Sequence, residues 1–377
     1  MDYGPHSYVS FKNELDAKVN QHARQRGTMP DDELQQWVLQ RVMVRLFDTQ
    51  PHDWIVKGGQ TLLARWPDAR STSDVDLMSA EEVPSRTLVE RYNHALSRDY
   101  GDYLSFVPDE IDLEIMGTGK AARMNHVAYF GDQELMVVQT DAVPPDARPE
   151  WKPLETAPFP QQIHGSGTDQ ENPDLRIVSA HDSLLHKISG MFMMTWRHDP
   201  PIRVQDMVDT LFLADRLALD GPETHEMLRK EIAYQHSQHD RLVIPDRFEV
   251  PNPAWREGFA THAAATPGLP YKTLEEAVPA ARRFLDPLLA AEPPQADWDP
   301  RRGQWVERTA QDAKGGAARL EQADMTRLDS PTGFPRLGPP SGPAKGAGRP
   351  GPSPRPRQGR GPTTPDNGQG RGPRKGA

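Results

Sequence analysis

The chain has 377 residues, of which 44 are Lys or Arg and 54 are Asp or Glu, so its formal net charge is −10. It contains no cysteine, which excludes disulfides, thiolate zinc sites, iron–sulfur clusters and cysteine nucleophiles. No stretch approaches 18 apolar residues, and the first ten residues lack the pattern of a signal peptide. We therefore expect a soluble cytoplasmic protein without a membrane span.

Residues 1–50 are expected to form a pair of N-terminal helices. Apolar residues recur three to four positions apart over residues 7–25, which indicates an amphipathic helix. A second apolar face runs over residues 34–47, and Asp31 or Asp32 is expected to cap that helix.

Residues 51–178 alternate between strand and helix patterns, which predicts an α/β domain. The predicted strands are 53–57, 73–78, 109–116, 123–130 and 134–140, and the predicted helices are 60–66 and 84–98. Residues 144–173 are rich in Pro, Gly, Asp and Asn, which indicates a long connection with room for one short strand.

Helical periodicity dominates residues 179–290, which predicts an all-helical domain. Ser179 is placed to cap its first helix, which extends to about Thr195. Further helices are predicted at 202–219, 221–236, 254–265 and 274–285. The Pro, Ala and Asp residues of 287–300 indicate an exit from the folded body.

The C-terminal residues 311–377 are predicted to be a disordered basic tail. From Gly338 onward, 40 residues include 11 Gly and 10 Pro, and eight Lys or Arg against one Asp give a net charge of +7. Such a composition has too few apolar side chains to build a core. Since the total is −10, the preceding 337 residues carry −17.

Two carboxylates, Asp74 and Asp76, are candidate metal ligands on the predicted strand 73–78. Residues i and i+2 of a strand point to the same face, which leaves these side chains about 6–7 Å apart. Such a pair can hold one or two divalent cations, which stabilise an in-line phosphoryl displacement. The alternative is that both carboxylates line the solvent side of an edge strand.

Gly58 and Gly59 lie where a predicted strand ends and a helix begins. Without Cβ atoms the backbone can approach a ligand closely, and the N–H groups of a helix N-terminus favour an anion. The sequence thus places a candidate phosphate cradle 15–16 residues before Asp74, although a plain glycine turn is the alternative reading.

The joint pattern resembles the nucleotidyltransferase superfamily, whose motif is hG[GS] followed after a spacer by Dh[DE]h. Val56-Lys-Gly-Gly-Gln-Thr-Leu-Leu and Arg70-Ser-Thr-Ser-Asp-Val-Asp-Leu look more closely like the AbiEii/AbiGii abortive-infection toxins. The resemblance implies a mixed-sheet nucleotidyltransferase domain followed by a helical domain. It also assigns Lys57, Gly58, Gly59, Arg70 and Thr72 to nucleotide binding, although a solvated lysine at position 57 is an open alternative.

The resemblance extends to a second block of residues in the helical region. The family places a lysine in one helix and R-x-K-D-h-x-D-h in the next, and Lys187, Arg203, Asp206 and Asp209 fall on those positions. Gln205 replaces the usual second lysine of that motif. Lys187 would contact the triphosphate, Arg203 would assist, and Asp206 would orient Lys187 or accept a proton. An inter-helix salt-bridge network is the alternative.

The superfamily often has a third carboxylate on a later strand. Asp112 and Glu114 are both candidates, because they alternate with Ile111, Leu113 and Ile115. An exposed strand face without any metal role remains open.

The resemblance implies a Mg²⁺-dependent nucleotidyltransferase that transfers a nucleoside monophosphate from an NTP and releases pyrophosphate. It also implies a toxin that modifies the tRNA 3′ end, blocks translation and is neutralised by a cognate antitoxin. The alternatives are a nucleotidyltransferase for small cationic molecules such as aminoglycosides, which an acidic surface suits, and a non-catalytic binding module.

Overall fold

The computed structural model describes residues 8–113, 120–145, 152–159, 172–238 and 240–308. The helices are α1 (Tyr8–Arg26), α2 (Pro30–Thr49), α3 (Gly58–Arg65), α4 (Ser85–Leu96), α5 (Ala180–Gly190), α6 (Val204–Ala214), α7 (Gly221–Gln238), α8 (Trp255–Ala264) and α9 (Leu274–Leu289). The strands are β1 (Trp54–Val56), β2 (Asp74–Ser79), β3 (Leu104–Asp112), β4 (Ala122–Phe130), β5 (Gln133–Val143), β6 (Glu155–Ala157), β7 (Leu175–Ile177), β8 (Ala296–Asp299) and β9 (Gln304–Glu307). Glu114 and the predicted tail 311–377 lie outside the described residues.

A seven-stranded mixed sheet forms the centre of the α/β region, in the order β3-β4-β5-β2-β1-β7-β6. Strand β2 pairs antiparallel with β1 and parallel with β5, and β1 pairs parallel with β7. The predicted α/β class with a mixed sheet is therefore confirmed. In the β2–β5 register Asp76 lies opposite Asp141, which brings a residue from a distant strand next to the predicted metal ligands.

Two clusters of buried apolar side chains hold the described chain together. One joins α1, α2 and α4 to the sheet, and Val75 and Leu77 of β2 contribute to it. The other joins the helices α5 to α9, and α3 contributes Leu62 and Leu63 to it. Because Val75 and Leu77 point into the core, Asp74 and Asp76 emerge on the opposite face of β2, where they are half-buried.

Helix ends differ from the predictions at two places. The cap prediction for α2 was wrong: Met29 occupies the N-cap without a side-chain bond, and Pro30 starts the helix with its φ already helical. Asp31 and Asp32 lie instead in the first turn, where they complement the helix dipole. Ser179 does cap α5, accepting a hydrogen bond from the Asp182 N–H at 2.9 Å, but α5 ends at Gly190.

The described fold continues past the predicted exit at 287–300. Strands β8 and β9 form a hairpin there, and its buried Trp298 donates a hydrogen bond from Nε1 to the Ala214 carbonyl at 2.6 Å. The ring of Trp298 also contacts Phe284 of α9, with centroids 4.8 Å apart. No helix among the described residues is long and apolar enough to cross a membrane.

Candidate active site

The two predicted glycines form the first turn of α3 and lie directly against strand β2. Gly58 has φ +63°, and a Cβ atom there would stand 1.9 Å from Oδ2 of Asp76. A Cβ on Gly59 would stand 3.0 Å from the Cβ of Thr72. The Lys57 N–H also donates to the Asp76 carbonyl at 2.8 Å. The glycine turn therefore touches the carboxylate strand, as the joint motif requires.

The carboxylates of Asp74 and Asp76 differ in their surroundings. The hydroxyl of the buried Thr72 donates to Asp74 Oδ1 at 2.7 Å, which orients that carboxylate. Burial and the charge of Asp74 raise the pKa of Asp76 to about 6, although Lys187 acts in the opposite direction. A half-buried carboxylate with this raised pKa is electrostatically strained when ionised, and a bound cation would relieve that strain.

Asp141 adds a third carboxylate next to Asp74 and Asp76, and no local pattern in the sequence indicates it. It is the cross-strand partner of Asp76, and its negative charge also helps to raise the pKa of Asp76. Arg123 on β4 binds both carboxylate oxygens of Asp141 at 2.7 Å. Asp141 therefore lies next to Asp76, on the neighbouring strand β5.

The candidate Asp112 is not next to the predicted metal ligands. Asp112 lies on the edge strand β3, opposite Arg123 of β4. Three strand-to-strand spacings separate β3 from β2, so the backbones of Asp112 and Asp76 are about 14 Å apart. That separation is too large for one cation to be shared, so Asp112 is excluded as a third ligand beside Asp76. The other candidate, Glu114, lies outside the described residues.

A buried ion network faces this carboxylate face from the helices. Lys187 of α5 contacts Asp206 Oδ1 at 3.1 Å and Asp209 Oδ2 at 2.8 Å. Arg70 binds both oxygens of the same Asp209, at 2.8 and 3.0 Å. Arg203 reaches in from the surface and donates from Nε to Asp206 Oδ2 at 2.5 Å. The structure thus brings together the four residues that the second motif singled out, and it adds Arg70 from the sheet region.

Opposite charges hold this network ionised despite its burial. Burial alone would raise the pKa of Asp209, but Arg70 and Lys187 outweigh it and lower that pKa to about 2. Burial likewise disfavours the Lys187 ammonium, yet Asp206 and Asp209 raise its pKa above the usual value. Counted by formal charge, its three cations and two carboxylates give the network a net of +1.

Two further residues shape the network, and neither was singled out from the sequence. A Cβ on Gly190 would stand 2.5 Å from Asp206 Oδ2, so the glycine leaves room for the Asp206 carboxylate. His262 of α8 lies near Arg70, and burial together with that positive charge lowers its pKa, which keeps the imidazole neutral at pH 7. Both roles depend on helix packing, which no local pattern reveals.

Arg65 belongs to a different part of the surface. It lies at the end of α3, where its guanidinium binds Glu155 at 2.7 Å and the Val178 carbonyl at 2.5 Å. The side chain of Lys57 is half-buried at the start of α3, and its charge lowers the pKa of Asp76. Of these two cations, Lys57 is the one that acts on the carboxylates.

Substitution of Gly58 by alanine is expected to reduce nucleotide transfer by about a hundredfold, because the new methyl group would displace the Asp76 carboxylate. Transfer of label from an NTP by the purified variant measures this. Gly27→Ala is a matched control, since Gly27 has φ +69° but nothing within 4 Å of a Cβ. Both variants bear the same backbone strain, so equal activity in the two would contradict the contact.

The comparisons with known proteins bear on the fold. No family model and no curated protein matches the sequence. Among solved structures, the chain is similar to MenT4, a nucleotidyltransferase toxin from Mycobacterium tuberculosis H37Rv, at 15% identity and a TM-score of 0.52, over 82% of this chain and 98% of that chain. JHP933 from Helicobacter pylori matches at 13% identity over 78% of this chain and 93% of that chain, with a low TM-score of 0.33. The chain therefore shares the fold of the MenT4 structure, which agrees with the mixed-sheet α/β domain and helical region that the motifs predict.

Proposed function

We propose that the protein is a Mg²⁺-dependent nucleotidyltransferase that transfers a nucleoside monophosphate from an NTP. The observation that carries the proposal is the contact of the Gly58 turn with Asp76, 1.9 Å from where a Cβ would lie. That contact joins a helix N-terminus, which favours phosphate, to carboxylates that suit a divalent cation. The positive Lys187 network adds a second source of attraction for the triphosphate.

The carboxylates fit the donor preference of Mg²⁺. Among the described residues, no three His, Asp or Glu side chains are grouped as a ready metal cage. Mg²⁺ is typically held by one or two carboxylates together with substrate phosphates and water, rather than by an all-protein cage. Asp74 and Asp76 supply those two carboxylates, and the bound ion would neutralise charge on the phosphates during transfer.

The ion network fixes the position of Lys187, whose charge lowers the pKa of Asp76. Lys187 binds one oxygen of Asp206 and Arg203 binds the other, so we assign Asp206 the role of orienting these two cations. Arg70 gives two of its nitrogens to Asp209 and a third to the Ser71 carbonyl. Arg70 therefore supports Lys187 through Asp209, and Lys187 is the residue that contacts phosphate.

The acceptor that we propose is the tRNA 3′ end, in a toxin of the AbiEii/AbiGii type that blocks translation and has a cognate antitoxin. This part rests on the motif resemblance, and the toxin fold agrees with it. The acidic character of the body, −17 before the tail, favours a small cationic acceptor as the second candidate.

One assay distinguishes these acceptors. The purified protein is incubated with Mg²⁺ and each α-labelled NTP, with either total tRNA or a panel of aminoglycosides as acceptor. We expect label on tRNA that is lost when EDTA is added. Label on the aminoglycosides alone would establish the second candidate instead. No label on any acceptor, with no growth defect when the protein is expressed, would identify a binding module.

A further inference from the structure

An exposed tryptophan side chain stands on the connection between α5 and α6. Trp196 is 78% exposed, the largest exposed fraction among the large hydrophobic side chains of the described residues. The guanidinium of Arg241 lies over its ring, 3.7 Å from the centroid. Arg241 itself is only 9% exposed, so the arginine is buried beneath the indole while most of the indole remains accessible to solvent.

The turn that carries Trp196 is held in place by hydrogen bonds. The Thr195 N–H donates to the Asp199 carbonyl at 3.1 Å, and the Asp199 N–H donates to the Thr195 hydroxyl at 3.1 Å. The preceding Met194 exchanges hydrogen bonds with Arg241, through its N–H at 2.9 Å and its carbonyl at 3.0 Å. The indole is therefore presented on a rigid turn, so that little conformational entropy is lost when a ligand stacks on it.

The turn lies in the connection between the two helices of the ion network. That connection begins after α5, which carries Lys187, and it ends at Arg203, which binds Asp206. Arg203 is seven positions after Trp196, a span of at most about 25 Å. Arg197, the next residue in the chain after Trp196, is also exposed.

We propose that Trp196 is a stacking platform for an unpaired base of single-stranded RNA, and that it positions the acceptor strand for the site. Aromatic faces bind bases of any sequence, and neighbouring cations contact the phosphate backbone. Trp196 supplies the aromatic face, with Arg241 behind it, and the adjacent exposed Arg197 supplies a cation. This inference rests on the proposed function only in treating the bound strand as the acceptor.

Binding of RNA without NTP tests the platform. The probe is a fluorescein-labelled 12-nucleotide single-stranded RNA, and its affinity for the full chain is measured by anisotropy. Trp196→Ala is expected to weaken binding about 5- to 150-fold, as the loss of one base–aromatic stack does. Trp196→Phe, which retains a ring, should restore most of the affinity. Intrinsic fluorescence of the wild type should also be quenched by the RNA.

Two controls make the test specific. Val243→Ala removes another exposed apolar side chain, 58% exposed and two residues from Arg241, and should change the affinity less than twofold. A duplex of the same RNA should bind Trp196→Ala and the wild type equally. Unchanged binding of the single strand to Trp196→Ala, or an equal loss with Val243→Ala, would overturn the platform.

The platform and the proposed function fail separately. If tRNA is labelled but Trp196→Ala binds RNA normally, the platform is wrong and the transferase stands. If Trp196→Ala binds RNA weakly but no acceptor is labelled by the wild type, the platform stands and the transferase is wrong.

Discussion

Asp76→Asn is expected to reduce nucleotide transfer by at least about a thousandfold, or ~4 kcal/mol in the activation free energy. The substitution keeps the shape of the side chain but removes the charge that would hold the metal ion and its phosphates. Label transfer by the purified variant measures the loss. Asp112→Asn is the matched control, because Asp112 is exposed on β3 and lies about 14 Å away. Comparable activity in the two variants would show that Asp76 is not a metal ligand.

The same substitution should not destabilise the metal-free protein. Because the pKa of Asp76 is raised to about 6, the folded chain binds this proton more tightly than the unfolded chain does. Wild-type stability contributed by this group therefore falls as the pH rises from about 4 to above 6. Asp76→Asn lacks that decline, so its Tm at pH 7.5 in EDTA should equal or exceed that of the wild type. Mg²⁺ should raise the Tm of the wild type only. A lower Tm for the variant in EDTA would contradict the inference that ionised Asp76 destabilises the metal-free protein.

Asp209→Asn is expected to lower the free energy of unfolding by about 3–5 kcal/mol, because it leaves Arg70 buried without a charged partner and Lys187 with Asp206 alone. Asp209 is only 1% exposed and receives hydrogen bonds from both cations. Urea denaturation at pH 7 measures the change. Glu275→Gln is the control, since its partner Arg256 forms an exposed surface pair with it and the substitution should leave stability unchanged.

The pH dependence of stability gives an independent readout of Asp209. Its pKa is lowered from 3.8 to about 2, so the stabilisation is complete above about pH 4 and is lost as the pH falls towards 2. The wild type should therefore lose stability between pH 4 and pH 2, and Asp209→Asn should lose less over that interval. Parallel declines would show that Asp209 is not held ionised by the network.

Local sequence patterns predicted much of the fold. The apolar periodicity of α1 and the cap of α5 follow from neighbouring residues, and both are present in the structure. Strand β7 was not predicted, because three residues are too few for an alternating pattern. The β8–β9 hairpin was hidden by prolines, and it is held by the contact of Trp298 with distant helices.

Some residues of the candidate site could likewise be predicted from local sequence, and others could not. Gly58 and Asp76 could be found because a helix start and a strand are local features joined by a short spacer. Lys187, Asp206 and Asp209 were found through a family resemblance, since no spacing rule links two helices to a sheet. Asp141 was missed because its position follows from the parallel pairing of β5 with β2. Helix packing likewise explains why Gly190 and His262 were missed.

The hydrogen bond between Arg70 and Asp209 spans 139 residues of chain, which has a consequence for the timing of synthesis. A ribosome that has completed only the glycine turn and the carboxylate strand has made a chain that cannot yet position Lys187. The Trp298 contact delays completion of the helical core further. At about 5–20 residues per second, residue 298 is reached after roughly 15–60 s. During that interval the glycine turn and the carboxylate strand exist without the Asp209 contact that holds Lys187 and Arg70 in place.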